Sequence, residues 1–272
     1  MSAARFAPSP TGLLHEGHAF SALTAFEAAR QIGGRFVLRI EDIDFTRCRP
    51  AFEAAIYEDL AWLGLDWERP VLRQSEHGAD YHAAVEALAA RGLAYRSFRT
   101  RKEVALAMLN APHGRDEGFR DAPAPPAEEA ARLAAGEPFA WRLDLAAAER
   151  VAGPLTFVDA ARGVVPVDAA PAGDVVLARK DVGVAYHVAV VVDDARQGIT
   201  DVVRGEDLFE ATHVQRLLQA LLGLPEPRYR HHRLILGPDG RRLAKRTGAA
   251  TLRALRQRGM TAAELRAELG FG

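Results

Sequence analysis

The sequence predicts an α/β fold on a parallel sheet, interrupted midway by a smaller α+β unit, and three observations carry that expectation. Apolar strand-like runs alternate with helical-period stretches over residues 1–95. The same alternation returns after residue 182. Between them the rhythm breaks, in a stretch where Pro, Gly and Ala crowd together.

Taken in order, "RFAP" is a short extended start, stopped by Pro8 and Pro10. From His15 to about Gln31, apolar residues recur at helical spacing (Phe20, Leu23, Phe26), and a Gly-Gly pair ends the run. "RFVLRIED" reads as a buried strand with an acidic end. "FEAAIYEDLAWLGL" is an amphipathic helix, "PVLRQSE" a strand and "GADYHAAVEALAARG" a second helix. Residues 96 to about 150 break the rhythm, and "APHGRDEGFRDAPAPPAEEAARLAAGEP" reads as an insertion with a loop and one short helix. "FAWRLDL", "LTFVDAARG" and "GDVVLARKD" read as antiparallel strands joined by turns. "AYHVAVVVDDARQG", "ITDVVRGEDL" and "ATHVQRLLQALLG" restore the strand and helix alternation. The expected units are 1–95 and 182–238 as two halves of a nucleotide-binding domain, 96–181 as the insertion, and 239–272 as a basic loop with a helical tail.

Composition narrows the function classes. The chain has 272 residues, 49% hydrophobic and 26% charged, with a net charge of −1, as in an ordinary globular protein. No apolar run approaches the roughly 20 residues of a membrane span, and the N-terminus carries no signal-peptide core. Cys48 is the single cysteine, so an internal disulfide and a four-cysteine metal site are excluded. The expectation is a cytoplasmic protein with no membrane partner. Only Lys102, Lys180 and Lys245 are lysine among 35 basic residues. From Arg228 to Arg258, nine arginines and Lys245 face a single acid, Asp239, an excess suited to holding phosphate.

Three constellations carry chemistry. In "HEGH", His15 and His18 share one face of a first helical turn, where unpaired N–H groups and the helix dipole favour phosphate. Gly17 between them lets a flat ring approach the backbone, and two imidazoles can donate to a phosphate as charge builds. The competing reading of these four letters is a helix cap with two surface histidines. In "GRRLAKRTGAA", Lys245 stands in a small basic loop, suited to transient contact with a leaving polyphosphate or to plain solvation. In "LRIEDID", acids cluster where a parallel strand ends, and Glu41 suits an ammonium group while Asp42 and Asp44 suit turn capping. Farther on, Tyr186 and Arg204 stand in "VAYHVAV" and "VVRGEDL", and an arginine at a strand end can take a carboxylate bidentately.

Together, "RFAPSPTGLLHEGH", "LRIEDID", "YHVAVVVDD…DVVRGEDL" and "LAKRTGA" resemble, in order and spacing, the glutamate branch of class I aminoacyl-tRNA synthetases. The resemblance spans nearly the whole chain and implies a Rossmann-like catalytic domain. His15 and His18 stand where that class has its HIGH signature, and Lys245 at the second lysine of KMSKS. By the family pattern His15, Gly17, His18 and Lys245 serve ATP with magnesium. Arg5, Ala7 and Ser9, with Phe6 and Pro8 between them, line a glutamate pocket. Glu41 accepts the substrate ammonium, and Tyr186 and Arg204 complete the site.

The chain stops 27 residues past Lys245. That resembles the short glutamyl-queuosine tRNA(Asp) synthetases, which use L-glutamate and ATP to load the queuosine base in the tRNA(Asp) anticodon loop. Val190, in "YHVAVVVDD", agrees with the short form. The implied state is a monomer. Those relatives carry zinc cysteines near "YRSFRTR"; Ser97 and Arg99 stand there, so no zinc is expected. Ala244 also departs from the serine of the lysine motif. Three other readings stay open: a tRNA-dependent glutamyl-tRNA synthetase-like enzyme, a non-catalytic RNA- or glutamate-binding paralogue, and a small-molecule nucleotidyltransferase sharing the HxGH element.

Overall fold

The computed structural model describes residues 2–109, 118–179, 183–235 and 250–272. Elements run in the order β1 Ala3–Phe6, α1 Glu16–Gln31, β2 Arg35–Ile40, α2 Pro50–Trp62, β3 Glu68–Arg73 and α3 Gly78–Ala90. There follow β4 Ala94–Ser97, α4 Arg101–Leu109, α5 Pro126–Ala134, β5 Ala140–Leu143, α6 Leu145–Ala152, β6 Thr156–Asp159, β7 Gly163–Pro166, β8 Val176–Arg179 and β9 Gly183–Val184. The chain closes with α7 Tyr186–Arg196, β10 Asp201–Gly205, α8 Phe209–Leu222, β11 Arg228–His232, α9 Leu252–Gln257 and α10 Ala262–Glu268.

The main sheet has the order β3-β2-β1-β10-β11-β6-β7. Every pairing in it is parallel except β6 with β7. Strand β2 shows why a parallel sheet forms: after Arg35 every residue of "RFVLRI" is buried, as a strand covered on both faces requires. One face is closed by α1 and α2 with the tail helices α9 and α10, where Leu23, Leu38, Leu60, Leu252 and Leu265 meet in one core. Ala3, Val37, Phe157, Val202 and Tyr229 form a second cluster.

Helix ends follow local chemistry. Pro50 opens α2 in its first turn, where its missing N–H costs nothing. Gly223 closes α8 in the left-handed region. Thr261 and Glu264 cap α10 reciprocally. No helix among the described residues is long and apolar enough to cross a membrane.

A second, four-stranded sheet has the order β4-β5-β8-β9, all antiparallel. One expectation from the sequence changes here. The stretch 111–138 holds one helix among its described residues, α5, with α4 before it and α6 after it. "LTFVDAARG" does not join the strands on either side of it. Its β6 runs parallel to β11, pairing Asp159 with Tyr229, and so extends the main sheet. The reason is burial: Phe157 is fully buried against Tyr229 of β11 and Phe209 and His213 of α8, contacts that its place beside β11 supplies.

Candidate active site

Strand order reverses between β1 and β10, and an open α/β sheet leaves a crevice at such a point, beyond the carboxyl ends of its strands. A cavity of about 650 Å³ lies there, a size typical of small-molecule sites. Arg5, Phe6, Ala7, Pro8 and Ser9 line it from β1 and the turn behind it. His15, Gly17 and His18 line it from the start of α1, with Glu41 just past β2, Tyr186 from α7 and Arg204 from β10. Lys245 falls outside the described residues.

The histidine pair sits at the N-terminus of α1. His15 is the N-cap, its Nδ1 accepting from the Gly17 N–H at 3.1 Å. His18 Nδ1 accepts from the His15 backbone N–H at 3.2 Å. A nitrogen that accepts carries no proton, so each neutral ring holds its proton on Nε2. Capping, one of the two readings of the four letters, is thus made through Nδ1 of each ring. Gly17 gains a reason the sequence did not offer: an added Cβ would lie 3.0 Å from Cε1 of His15.

Polar groups from three elements meet in a chain of ion pairs behind the cavity. Asp194 Oδ1 accepts from Arg5 Nε at 3.1 Å and pairs with Arg39 Nη1 at 2.8 Å. Arg39 in turn reaches Glu41 at 3.4 Å. Arg5, Arg39, Glu41 and Asp194 are all buried. Burial opposes the charge on Arg39, but Asp194, Glu41 and Asp193 outweigh it and hold the guanidinium protonated. At Asp194 burial raises the pKa, and Arg5 and Arg39 more than reverse that. At Glu41 burial dominates and leaves the pKa raised despite Arg39 and Arg5. Asp193 is likewise raised by burial, and is held by Tyr81 and Gln74. The loop is tied in as well, with the Glu41 N–H donating to the Pro8 carbonyl at 3.0 Å.

Arg204 approaches from β10. Its Nε donates to His231 Nε2 at 3.3 Å, Nη2 to Thr212 Oγ1 at 2.7 Å and Nη1 to the Tyr186 hydroxyl at 3.4 Å. Burial raises the pKa of Tyr186, partly offset by Arg204, so the phenol stays a neutral hydrogen-bonding group.

The family described as tRNA synthetases class I (E and Q), catalytic domain, matches residues 2–269. The chain belongs to that family. Among its relatives is a glutamyl-Q tRNA(Asp) synthetase of Rhodobacter capsulatus, 47% identical over 98% of this chain and 99% of the relative. A second, from Nocardia farcinica, is 46% identical over 92% of this chain and 78% of the relative. A glutamate–tRNA ligase of Dinoroseobacter shibae is 42% identical over 99% of this chain but 61% of the ligase. A crystal structure of a glutamate tRNA ligase from Elizabethkingia meningosepticum, in complex with its amino acid, superposes with a TM-score of 0.74 at 30% identity. It is matched over 91% of this chain, which spans about half (52%) of that ligase's length.

In this class I synthetase domain, several polar residues around the cavity escaped the sequence reading: Arg39, Asp193 and Asp194 among the ion pairs, and Asp159, Thr212 and His231 behind Arg204. Arg39 had a signal, a lone cation inside an apolar strand. His231 and Asp159 had none, because their meeting depends on β6 lying beside β11. Val190 is buried among the helices of the second core and does not line the cavity. Ser97 is buried in β4, and Arg99 pairs with Asp121 at 2.7 Å.

Proposed function

We propose that this chain activates L-glutamate with ATP and transfers the glutamyl group to the queuosine base in the anticodon of tRNA(Asp). One observation carries the reading: a single cavity presents cationic and hydroxyl donors (Arg5, Arg204, Tyr186), a buried carboxylate (Glu41) and a helix N-terminus bearing two imidazoles. That set complements an amino acid with a second carboxylate, next to a polyphosphate. The match to the Rhodobacter capsulatus relative, along nearly the whole of both chains, supports the queuosine acceptor.

In this reading Arg204 and Arg5 take the γ-carboxylate, which would be costly to bury without a cation. Glu41 takes the ammonium. The α-carboxylate oxygen attacks the α-phosphorus of ATP, its new P–O bond replacing the bond to pyrophosphate. Little covalent chemistry falls to the protein, so positioning and charge stabilisation supply the rate. His15 and His18 aim Nε2–H donors at the phosphates, and the N–H groups of the first turn of α1 add to them. Lys245 serves the departing pyrophosphate. In the second step the acyl group passes to the nucleoside and AMP leaves. An anticodon loop suits this, since its unstacked bases are open to edge contacts and stacking.

Magnesium enters as part of the nucleotide substrate, held chiefly by its phosphates. Among the described residues no three His, Cys, Asp or Glu side chains form a metal cluster. A monomer, as the family resemblance implies, is part of the reading.

The test is glutamate-dependent ATP–pyrophosphate exchange without RNA, followed by transfer of labelled glutamate to queuosine-containing tRNA(Asp). Exchange without RNA and transfer to that tRNA are expected. Exchange that requires tRNA(Glu) would make the chain a glutamyl-tRNA ligase. Binding without exchange under either condition would make it a binding protein.

A further inference from the structure

Arg204 has five N–H donors, and three are already engaged by His231, Thr212 and Tyr186. Among the described residues nothing takes the other two, the number a bidentate carboxylate needs. What aims those two is the set of partners behind the guanidinium, and among the described residues only His231 holds Nε, the atom that sets its plane.

His231 can do so in one protonation state only. Its side chain and that of Asp159 are fully buried, with Nδ1 and Oδ2 2.7 Å apart. The other Asp159 oxygen, Oδ1, accepts from the backbone N–H groups of Ala161 and Arg162, each at 3.0 Å. Burial pushes the His231 pKa down to about 4, only partly offset by Asp159, so the ring is neutral near pH 7. Burial raises the Asp159 pKa, but the hydrogen bonds from His231, Ala161 and Arg162 reverse this and keep it a carboxylate. A carboxylate only accepts, so the ring's single proton sits on Nδ1 and Nε2 is an acceptor.

We infer that His231, its proton held on Nδ1 by Asp159, is the positioning residue that orients Arg204 for the side-chain carboxylate of the substrate. Asp159 lies in β6, past the fifth strand of a six-strand parallel array, yet it acts on ligand choice through one imidazole. This rests on the functional reading above, in which Arg204 binds the γ-carboxylate.

Asp159→Asn is the decisive variant, because the backbone dictates which way the amide turns. Ala161 and Arg162 require an acceptor at Oδ1 through two bonds of 3.0 Å, against one of 3.4 Å from the His231 backbone N–H to Oδ2, so the balance turns the amide NH2 toward Nδ1. The imidazole proton then moves to Nε2, where it faces the Arg204 Nε–H, donor against donor, and competes with Arg204 Nη2 for Thr212 Oγ1, 3.1 Å from Nε2. The expected result in pyrophosphate exchange is a KM for glutamate raised about ten- to a hundredfold, with kcat and the KM for ATP within about threefold. Discrimination of glutamate over glutamine falls by a similar factor. His231→Gln, which can restore an acceptor toward Nε, recovers part of the glutamate affinity that His231→Met loses. Nitrogen NMR of the unmodified protein supplies a readout independent of any substitution, showing His231 protonated on Nδ1 alone.

A ring protonated on Nε2 in the unmodified protein would overturn the inference. So would an Asp159→Asn protein in which glutamate KM, ATP KM and kcat move together. If the unmodified protein shows no glutamate-dependent exchange or glutamate binding, the functional reading fails, and the NMR result still decides the state of the ring.

Discussion

His15 and His18 hold one another across the first turn of α1, their ring centroids 3.9 Å apart, with each Nδ1 accepting a backbone N–H from within that turn. The cap and the phosphate contact proposed above thus use different nitrogens. Replacement separates them. His15→Asn keeps a good N-cap and loses the Nε2 donor, so exchange falls on the order of 10²-fold at little cost in stability. His15→Ala loses both, adding about 1 kcal/mol of destabilisation. Equal Tm losses for the two variants would contradict this assignment.

Gly17→Ala sets a methyl 3.0 Å from Cε1 and 3.2 Å from Nδ1 of His15. The ring must move, and its cap with it. Exchange activity is expected to fall about tenfold or more, with a Tm change of a few degrees. Retention of full activity would show that the ring relocates without consequence.

Arg39 is completely buried, and its partners Asp194, Asp193 and Glu41 are buried with it. Arg39→Met leaves those carboxylates without their shared cation, and urea unfolding should show a loss of about 3–5 kcal/mol. A loss below about 1 kcal/mol would mean that water or protonation relieves the cluster.

Glutamate affinity should carry an acid limb. Burial raises the Glu41 pKa, against Arg39 and Arg5, with Asp194 and Asp193 adding to the rise. In the proposed function the ionised form binds the ammonium of glutamate, so affinity is full above that raised pKa and is lost as pH falls through it. Titration calorimetry should place the limb above the ordinary Glu value of about 4.3. Glu41→Gln should weaken binding and flatten that limb.

Arg204→Gln removes the cation that meets the γ-carboxylate in the proposed pose. Charged hydrogen bonds of about 1.5–3 kcal/mol translate into roughly a ten- to 150-fold loss in kcat/KM for glutamate. Glutamine should be affected less. Equal losses for both amino acids would place the γ-carboxylate elsewhere.

Most of the elements flanking the cavity were legible in the sequence, because they rest on local patterns. Short strand-like stretches with a proline stop or an acidic end located β2 and β10 and, two residues late, β1, and helical spacing located α1 and α8. His15, His18, Glu41, Tyr186 and Arg204 were visible as chemical side chains at the ends of those elements. The middle of the chain was not legible in the same way. "LTFVDAARG" has the local pattern of any short strand, and nothing within it says which sheet it will join.

The sequence by itself determined the α/β class, the placing of polar groups at strand ends and the family to which the motifs belong. Periodicity, turn residues and ordered motifs are properties of neighbours along the chain. Tertiary structure alone decided that β6 lies beside β11, that Asp159 therefore meets His231, and that Asp194 joins Arg5 to Arg39 across 189 residues of sequence. Such contacts come from burying charges and rings that no local pattern can satisfy, so they exist only once distant strands are packed together.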